Sequence, residues 1–267
     1  MKPPYLDWII QEKQITTSEG KQINVYELVI QDDEGILNSW AKHLREHYCA
    51  DCEIDVLRAG FGLERNEYLK TIKFPDARIS PGPSVRSGDF TEIIVADYVQ
   101  YVLDYIVPRT RYDRKVNRNS STMGSDLIGY KCGKKISNSD ELIVFEVKAK
   151  ASDVPPPSEN RLQKAIDDSN KDVVRLAETL NAVAQRLIDR RDFDEAKRVQ
   201  RFQNYSDYPY RKTYAAAAVH SNMSYSETVL KTVSTQHHAD PDLRLIVIHC
   251  NKLMDFIHKM YGRACEC

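Results

Sequence analysis

Leu142-Ile143-Val144-Phe145-Glu146-Val147-Lys148-Ala149 is an apolar, β-branched and aromatic run interrupted by two opposite charges. A run of this kind predicts a strand largely buried on both faces. Residues two apart in a strand share a face, so Glu146 and Lys148 project together, about 7 Å apart along the chain. Phe145, Val147 and Ala149 then point the other way, into packing. An ionised pair inside an apolar strand is costly unless it has partners. A metal ion, a further carboxylate or a bound phosphate would each serve.

The segment before the run supplies the carboxylate. Asp126 precedes Leu127-Ile128-Gly129-Tyr130, and a turn-rich stretch, Cys132 to Asp140, leads from there into the apolar run. The two segments are predicted to form a hairpin that brings Asp126 beside Glu146. Two carboxylates and a strand carbonyl make an oxygen-rich site suited to Mg²⁺, with Mn²⁺ as the alternative ion. Lys148 would stand near the attacking water or the scissile phosphate, an arrangement fit for metal-assisted phosphodiester hydrolysis. Further upstream, a helix is predicted from about Asp89 to Pro108, with apolar residues Ile93, Ile94, Ala96, Val99, Val102, Leu103 and Ile106. Glu92 lies in its first turn. It has two readings: a ligand that completes the metal shell, or the N3 partner of Asp89 in a capping box.

Beyond these segments the chain alternates in type. Pro155-Pro156-Pro157 closes the strand section, and an amphipathic helix follows over 160–190, then a charged one over 192–203. Strands are predicted at 213–219 and 243–249, and a last helix at 252–261. Strand material is also expected over 110–116. In front, 22–30 reads as a strand, 36–44 as a helix and 53–59 as a second strand. Residues 74–84 hold three prolines and a glycine and are predicted to be a loop, with a boundary near 85. The expectation is an α/β protein: a small α/β section over 1–85, then a mixed sheet flanked by helices over 86–267.

Charge narrows the partners. Lys and Arg total 38 against 39 Asp and Glu, which argues against an indiscriminate nucleic-acid coat. The average hides a local excess. Residues 108–135 carry Arg109, Arg111, Arg114, Lys115, Arg118, Lys131, Lys134 and Lys135 against Asp113 and Asp126, a net charge of +6. Next to the carboxylates, Arg109, Arg111, Arg114, Lys115 and Arg118 are the candidates for contact with phosphates. No apolar run approaches the roughly 20 residues of a membrane span. The N-terminus lacks the long apolar core of a signal peptide, so a cytoplasmic protein is expected. The six cysteines are then expected as thiols. Cys49/Cys52 and Cys265/Cys267 have no ligand-spaced histidine that would favour structural zinc.

The ordered set, Glu on a helix, Asp on a strand and Glu-x-Lys on the next strand followed by a helix, resembles the PD-(D/E)xK nuclease superfamily. More narrowly, Gly88-Asp89-Phe90-Thr91-Glu92, Gly124-Ser125-Asp126-Leu127-Ile128-Gly129, Phe145-Glu146-Val147-Lys148-Ala149-Lys150 and Gln163-Lys164-Ala165-Ile166-Asp167-Asp168-Ser169 are similar to the HamA family, the nuclease subunits of Hachiman antiphage systems, and to related abortive-infection nucleases. Ser125 stands where the superfamily name has proline. The resemblance implies a restriction-endonuclease-like core. It implies a DNA-degrading effector held by a HamB-like helicase partner, and supporting polar residues such as Gln163 at the start of the next helix. The rival readings of the same residues are a nucleic-acid-binding subunit with an inactive site and a protein-interaction subunit.

Overall fold

The computed structural model describes residues 2–155 and 160–267. Pro156 and Pro157 of the proline run lie outside the described residues. Six strands form one sheet: β1 (Ile9–Thr16), β2 (Gln22–Leu28), β3 (Leu127–Lys131), β4 (Glu141–Lys150), β5 (Arg211–Ser221) and β6 (Arg244–Cys250). Their spatial order is β1-β2-β6-β5-β4-β3. The four inner strands are mutually parallel, and each outer strand is antiparallel to its neighbour. The helices are α1 (Glu34–Tyr48), α2 (Asp51–Ala59), α3 (Arg65–Tyr68), α4 (Gly82–Tyr101), α5 (Arg161–Asp189), α6 (Phe193–Gln200), α7 (Glu227–Leu230) and α8 (Leu253–Glu266). This mixed sheet flanked by helices is the α/β class expected and is consistent with a nuclease-like core.

The sheet separates two apolar layers. Trp40 and Leu44 of α1, Phe90 and Ile94 of α4, and Phe256 and Ile257 of α8 pack with Phe145 and Val147 of β4 on one side. Leu162, Ile166 and Leu180 of α5 and Val199 of α6 pack with Leu142 and Val144 on the other. The predicted alternation of β4 is thus observed, with both faces covered. Residues 1–85 contribute β1 and β2 to this same sheet, where β2 pairs with β6. At the centre, Ala215, Ala216, Ala217 and Ala218 of β5 are fully buried. Alanine is a strong helix former, yet here tertiary burial holds it extended. The methyl groups keep both layers of helices close to the sheet.

Three local expectations are corrected, and one strand is added. Residues 53–59 lie in helix α2, because only Ile54 is buried while Val56 is 77% exposed, and Asp55 pairs with Arg58 one turn on at 2.8 Å. Residues 110–116 form no strand. Their arginines fasten to carboxylates instead of joining a ladder, and the isolated bridge from Ile106 to Tyr130 precedes them. Helix α4 starts at Gly82, with proline in its first turn where a missing N–H costs nothing. Asp89 is therefore about two turns inside the helix and is no N-cap, which removes the capping-box reading of Glu92. The added strand is β1, which its residue pattern does not announce. Its burial pattern is mostly exposed, and a bulge between Gln11 and Lys13 interrupts its register with β2.

Ala215→Leu would force extra methylenes between β5 and the helices, and should cost about 1–3 kcal/mol or more. Urea denaturation checks this. Val174→Leu, at a position 84% exposed on α5, should leave the midpoint in place.

Candidate active site

Glu146 and Lys148 stand near the carboxyl end of β4, and Asp126 stands directly before β3. Leu127 is in register with Phe145, so the next step of the antiparallel pair carries Asp126 to the level of Glu146. The Val147 N–H donates to Asp126 Oδ2 at 3.0 Å, which ties the two carboxylates to one short piece of backbone. The approach to β3 is held by α5. Gly124 has φ +90°, and a Cβ there would stand 3.1 Å from Thr179 Oγ1. The Ser125 N–H donates to that same oxygen at 3.1 Å, and Ser125 Oγ donates to Asp172 Oδ1 at 3.0 Å. Glu92 arrives from α4, on the opposite side.

All four residues line one cleft of about 690 Å³. Arg111 lies between Glu92 and Asp126, with Nε 3.2 Å from Glu92 Oε2 and a terminal nitrogen 3.1 Å from Asp126 Oδ1. The Tyr112 hydroxyl donates to Glu92 Oε2 at 2.6 Å. Lys148 Nζ donates to Glu146 Oε1 and lies 3.1 Å from Asp168 Oδ2 on α5. Glu146 Oε2 is buried and has no hydrogen-bond partner among the described residues.

The electrostatics follow from crowding. Burial, reinforced by the Asp126 and Asp89 charges, pushes the Glu92 carboxyl up to about 8, and Arg111 opposes the rise. Burial and then Asp126 push Glu146 up to about 8 as well, against Lys148. Burial alone would lower Lys148, but Asp126 and Glu146 outweigh it and hold the ammonium protonated. The three carboxylates line one cleft and offer hard oxygen donors of the kind a divalent cation takes, but their oxygens do not all come within 4.8 Å of one another, and Arg111 stands between Glu92 and Asp126. Arg111 is the positive charge now nearest to Glu92 and Asp126.

The basic residues divide. Arg109 and Arg111 line the cleft, although Arg109 is bonded to Asp97 at 2.7 Å and to Gln100. Arg114 pairs with Glu53 at 2.8 Å, Lys115 is buried against Asp89, and Arg118 is bonded to Asp76 at 2.9 Å and to the carbonyls of Lys70 and Phe74. The structure does not bring these last three to the cleft wall. Instead, Lys171, Arg175 and Arg186 of α5 line it, as does Asp168. Lys171 and Arg175 are four residues apart on one helix face, which is the signal that would have revealed them. Gln163 does not line the cleft. Its side chain bonds the Ser234 backbone through both its oxygen and its nitrogen, fastening a loop to α5. Among the described residues no cysteine joins a metal-ligand cluster, and all six are free thiols.

A family model described as HamA matches residues 3–264 of the 267. The chain belongs to the HamA family. Membership in HamA carries an antiphage defence role. A search of curated proteins gives no match. No helix among the described residues is long and apolar enough to cross a membrane.

The raised carboxyls set a pH dependence. A carboxyl whose folded pKa lies above its unfolded value binds its proton more tightly in the folded state. Its contribution is fully present below about pH 4.5 and is lost as pH rises through about 8. The metal-free protein should therefore melt at progressively lower temperature between pH 5 and 8. Glu92→Gln with Glu146→Gln should flatten that slope in a calorimetric series.

Proposed function

We propose that this HamA-family chain is a metal-dependent DNA nuclease, the cutting effector of its defence system. The observation that carries this reading is the convergence of Glu92, Asp126, Glu146 and Lys148, from three separate elements, on one cleft. Asp126 and Glu146, with Glu92, would hold Mg²⁺ or Mn²⁺, which when bound supplies polarisation of a phosphate oxygen and a more acidic water. Lys148, kept protonated and fixed between Glu146 and Asp168, offers N–H donors to a phosphate oxygen and orients the attacking water. Its charge favours stabilisation of developing negative charge over proton abstraction. Arg109 and Arg111, with Lys171, Arg175 and Arg186 of α5, would take the flanking phosphates, so affinity should fall with salt. A HamB-like helicase subunit would deliver or restrain the DNA, and the complex would work in the cytoplasm.

Cleavage of supercoiled plasmid, with and without the helicase, tests the assignment. Glu146→Ala or Lys148→Ala should abolish Mg²⁺-dependent cutting while circular dichroism stays unchanged. Undiminished cutting by both purified variants would overturn the proposal, and DNA binding indifferent to Mg²⁺ with no cutting would favour an inactive binding subunit. Arg111→Ala should leave Glu92 and Asp126 without their cation. Calorimetric titration should then show Mg²⁺ binding several-fold tighter than in the parent chain.

A further inference from the structure

A group of ligand atoms converges beside the same cleft, where His47 is the one of its three residues that reaches the lining. His43 and His47 are one turn apart on α1, so their rings reach the same side of that helix. Asp97 meets them from α4, five residues beyond Glu92, which is about 7.5 Å further along the helix axis. His43 Nε2 lies 3.0 Å and 3.2 Å from the two Asp97 oxygens and 3.3 Å from His47 Nε2. All three ligand atoms lie within 4.8 Å of one another.

Protons do not satisfy this arrangement well. A neutral imidazole carries one N–H, and Nε2 of His43 faces two acceptors on different helices. If that proton sits on His43 Nε2, Asp97 and His47 share it. If it sits on His47 Nε2, the His43 lone pair faces the carboxylate. A dication satisfies all three lone pairs at once. The spacings from His43 to its two partners are close to this: two ligands at about 2.0–2.1 Å from a tetrahedral ion lie about 3.3–3.4 Å apart.

The surroundings have the features of a built site. The Tyr5 hydroxyl and Arg109 each donate to Asp97, one to each oxygen, which fixes the carboxylate as outer partners of metal ligands do. Asp97 is fully buried, while the His43 side chain is 28% exposed and His47 lines the cleft. A fourth position would open toward solvent. Arg109 shares Asp97, so its charge would weaken the ion relative to an unshared carboxylate.

We propose that His43, His47 and Asp97 form a transition-metal site of the Zn²⁺ class beside the cleft, reached through His47, distinct from Glu92, Asp126 and Glu146. Two imidazoles and one carboxylate select such an ion over Mg²⁺. An ion held there would add positive charge beside the path of a bound polyanion.

Chelator-stripped full-length protein titrated with Co²⁺ tests the site. The expected result is a visible absorption band that saturates at one equivalent and is displaced by Zn²⁺. Glu146→Gln should retain the band. His47→Gln and His43→Gln should each weaken binding by about tenfold or more, with His43→Gln, at the partly exposed ring, serving if His47→Gln folds poorly. Absence of the band in the parent chain would overturn the proposal. So would equal binding by the parent chain and a folded His43→Gln, or loss of the band in Glu146→Gln alone.

Discussion

Three largely buried carboxylates, Glu92, Asp126 and Glu146, share the wall of one cleft, and their mutual repulsion shapes much of the structure nearby. Burial raises the cost of ionising Glu92 and Glu146, and neighbouring carboxylates raise it again. The protein answers with cations placed at contact distance. Arg111 spans Glu92 and Asp126, and Lys148 lies between Glu146 and Asp168. The balance is incomplete, since Glu146 keeps a buried oxygen without a partner among the described residues. The proposed divalent ion would supply charge that is missing here, and burial with the neighbouring carboxylates raises the Glu92 and Glu146 carboxyls to about 8.

The sheet topology makes that cluster possible. β4 carries Glu146 and Lys148, β3 returns antiparallel to bring Asp126 alongside, and the helices on the two faces supply Glu92 and Asp168. The alanines of β5 matter here, because small side chains beside β4 keep both helical layers near the sheet. The carboxyl ends of parallel strands are the usual position for ligand sites in open α/β sheets. The backbone N–H of Val147 and the hydroxyls of Ser125 and Thr179 make the entry to β3 rigid, so the carboxylates are placed by secondary structure more than by loops.

The same electrostatics redistribute the basic residues of the segment after α4. Lys115 neutralises buried Asp89, Arg118 caps a loop through Asp76, and Arg109 neutralises Asp97. Five of the eight basic residues behind the local charge of +6, Arg109, Arg111, Arg114, Lys115 and Arg118, are therefore held in ion pairs. The positive charge that faces the cleft comes largely from α5. Arg109 also connects the cleft to the histidine cluster on α1, through the carboxylate that both share.

The sequence by itself determined the α/β class, the buried strand carrying Glu146 and Lys148, the hairpin that brings Asp126 near them, and the long helix α5. These depend on short-range periodicity and on the cost of charge in an apolar strand, both legible in neighbouring residues. It also supplied the residues that match the HamA pattern. Tertiary structure decided the rest. Residues 53–59 became a helix because only Ile54 finds a core. Residues 110–116 stayed irregular because their arginines reached distant carboxylates. Whether Glu92 was a cap depended on where α4 began, and proline and glycine moved that start to residue 82. Which cations face the cleft was likewise settled by partners such as Glu53, Asp76, Asp89 and Asp97, which are distant in the chain. Charge interactions act through space, so a one-dimensional pattern shows that the charges are present and only the folded chain shows which of them meet.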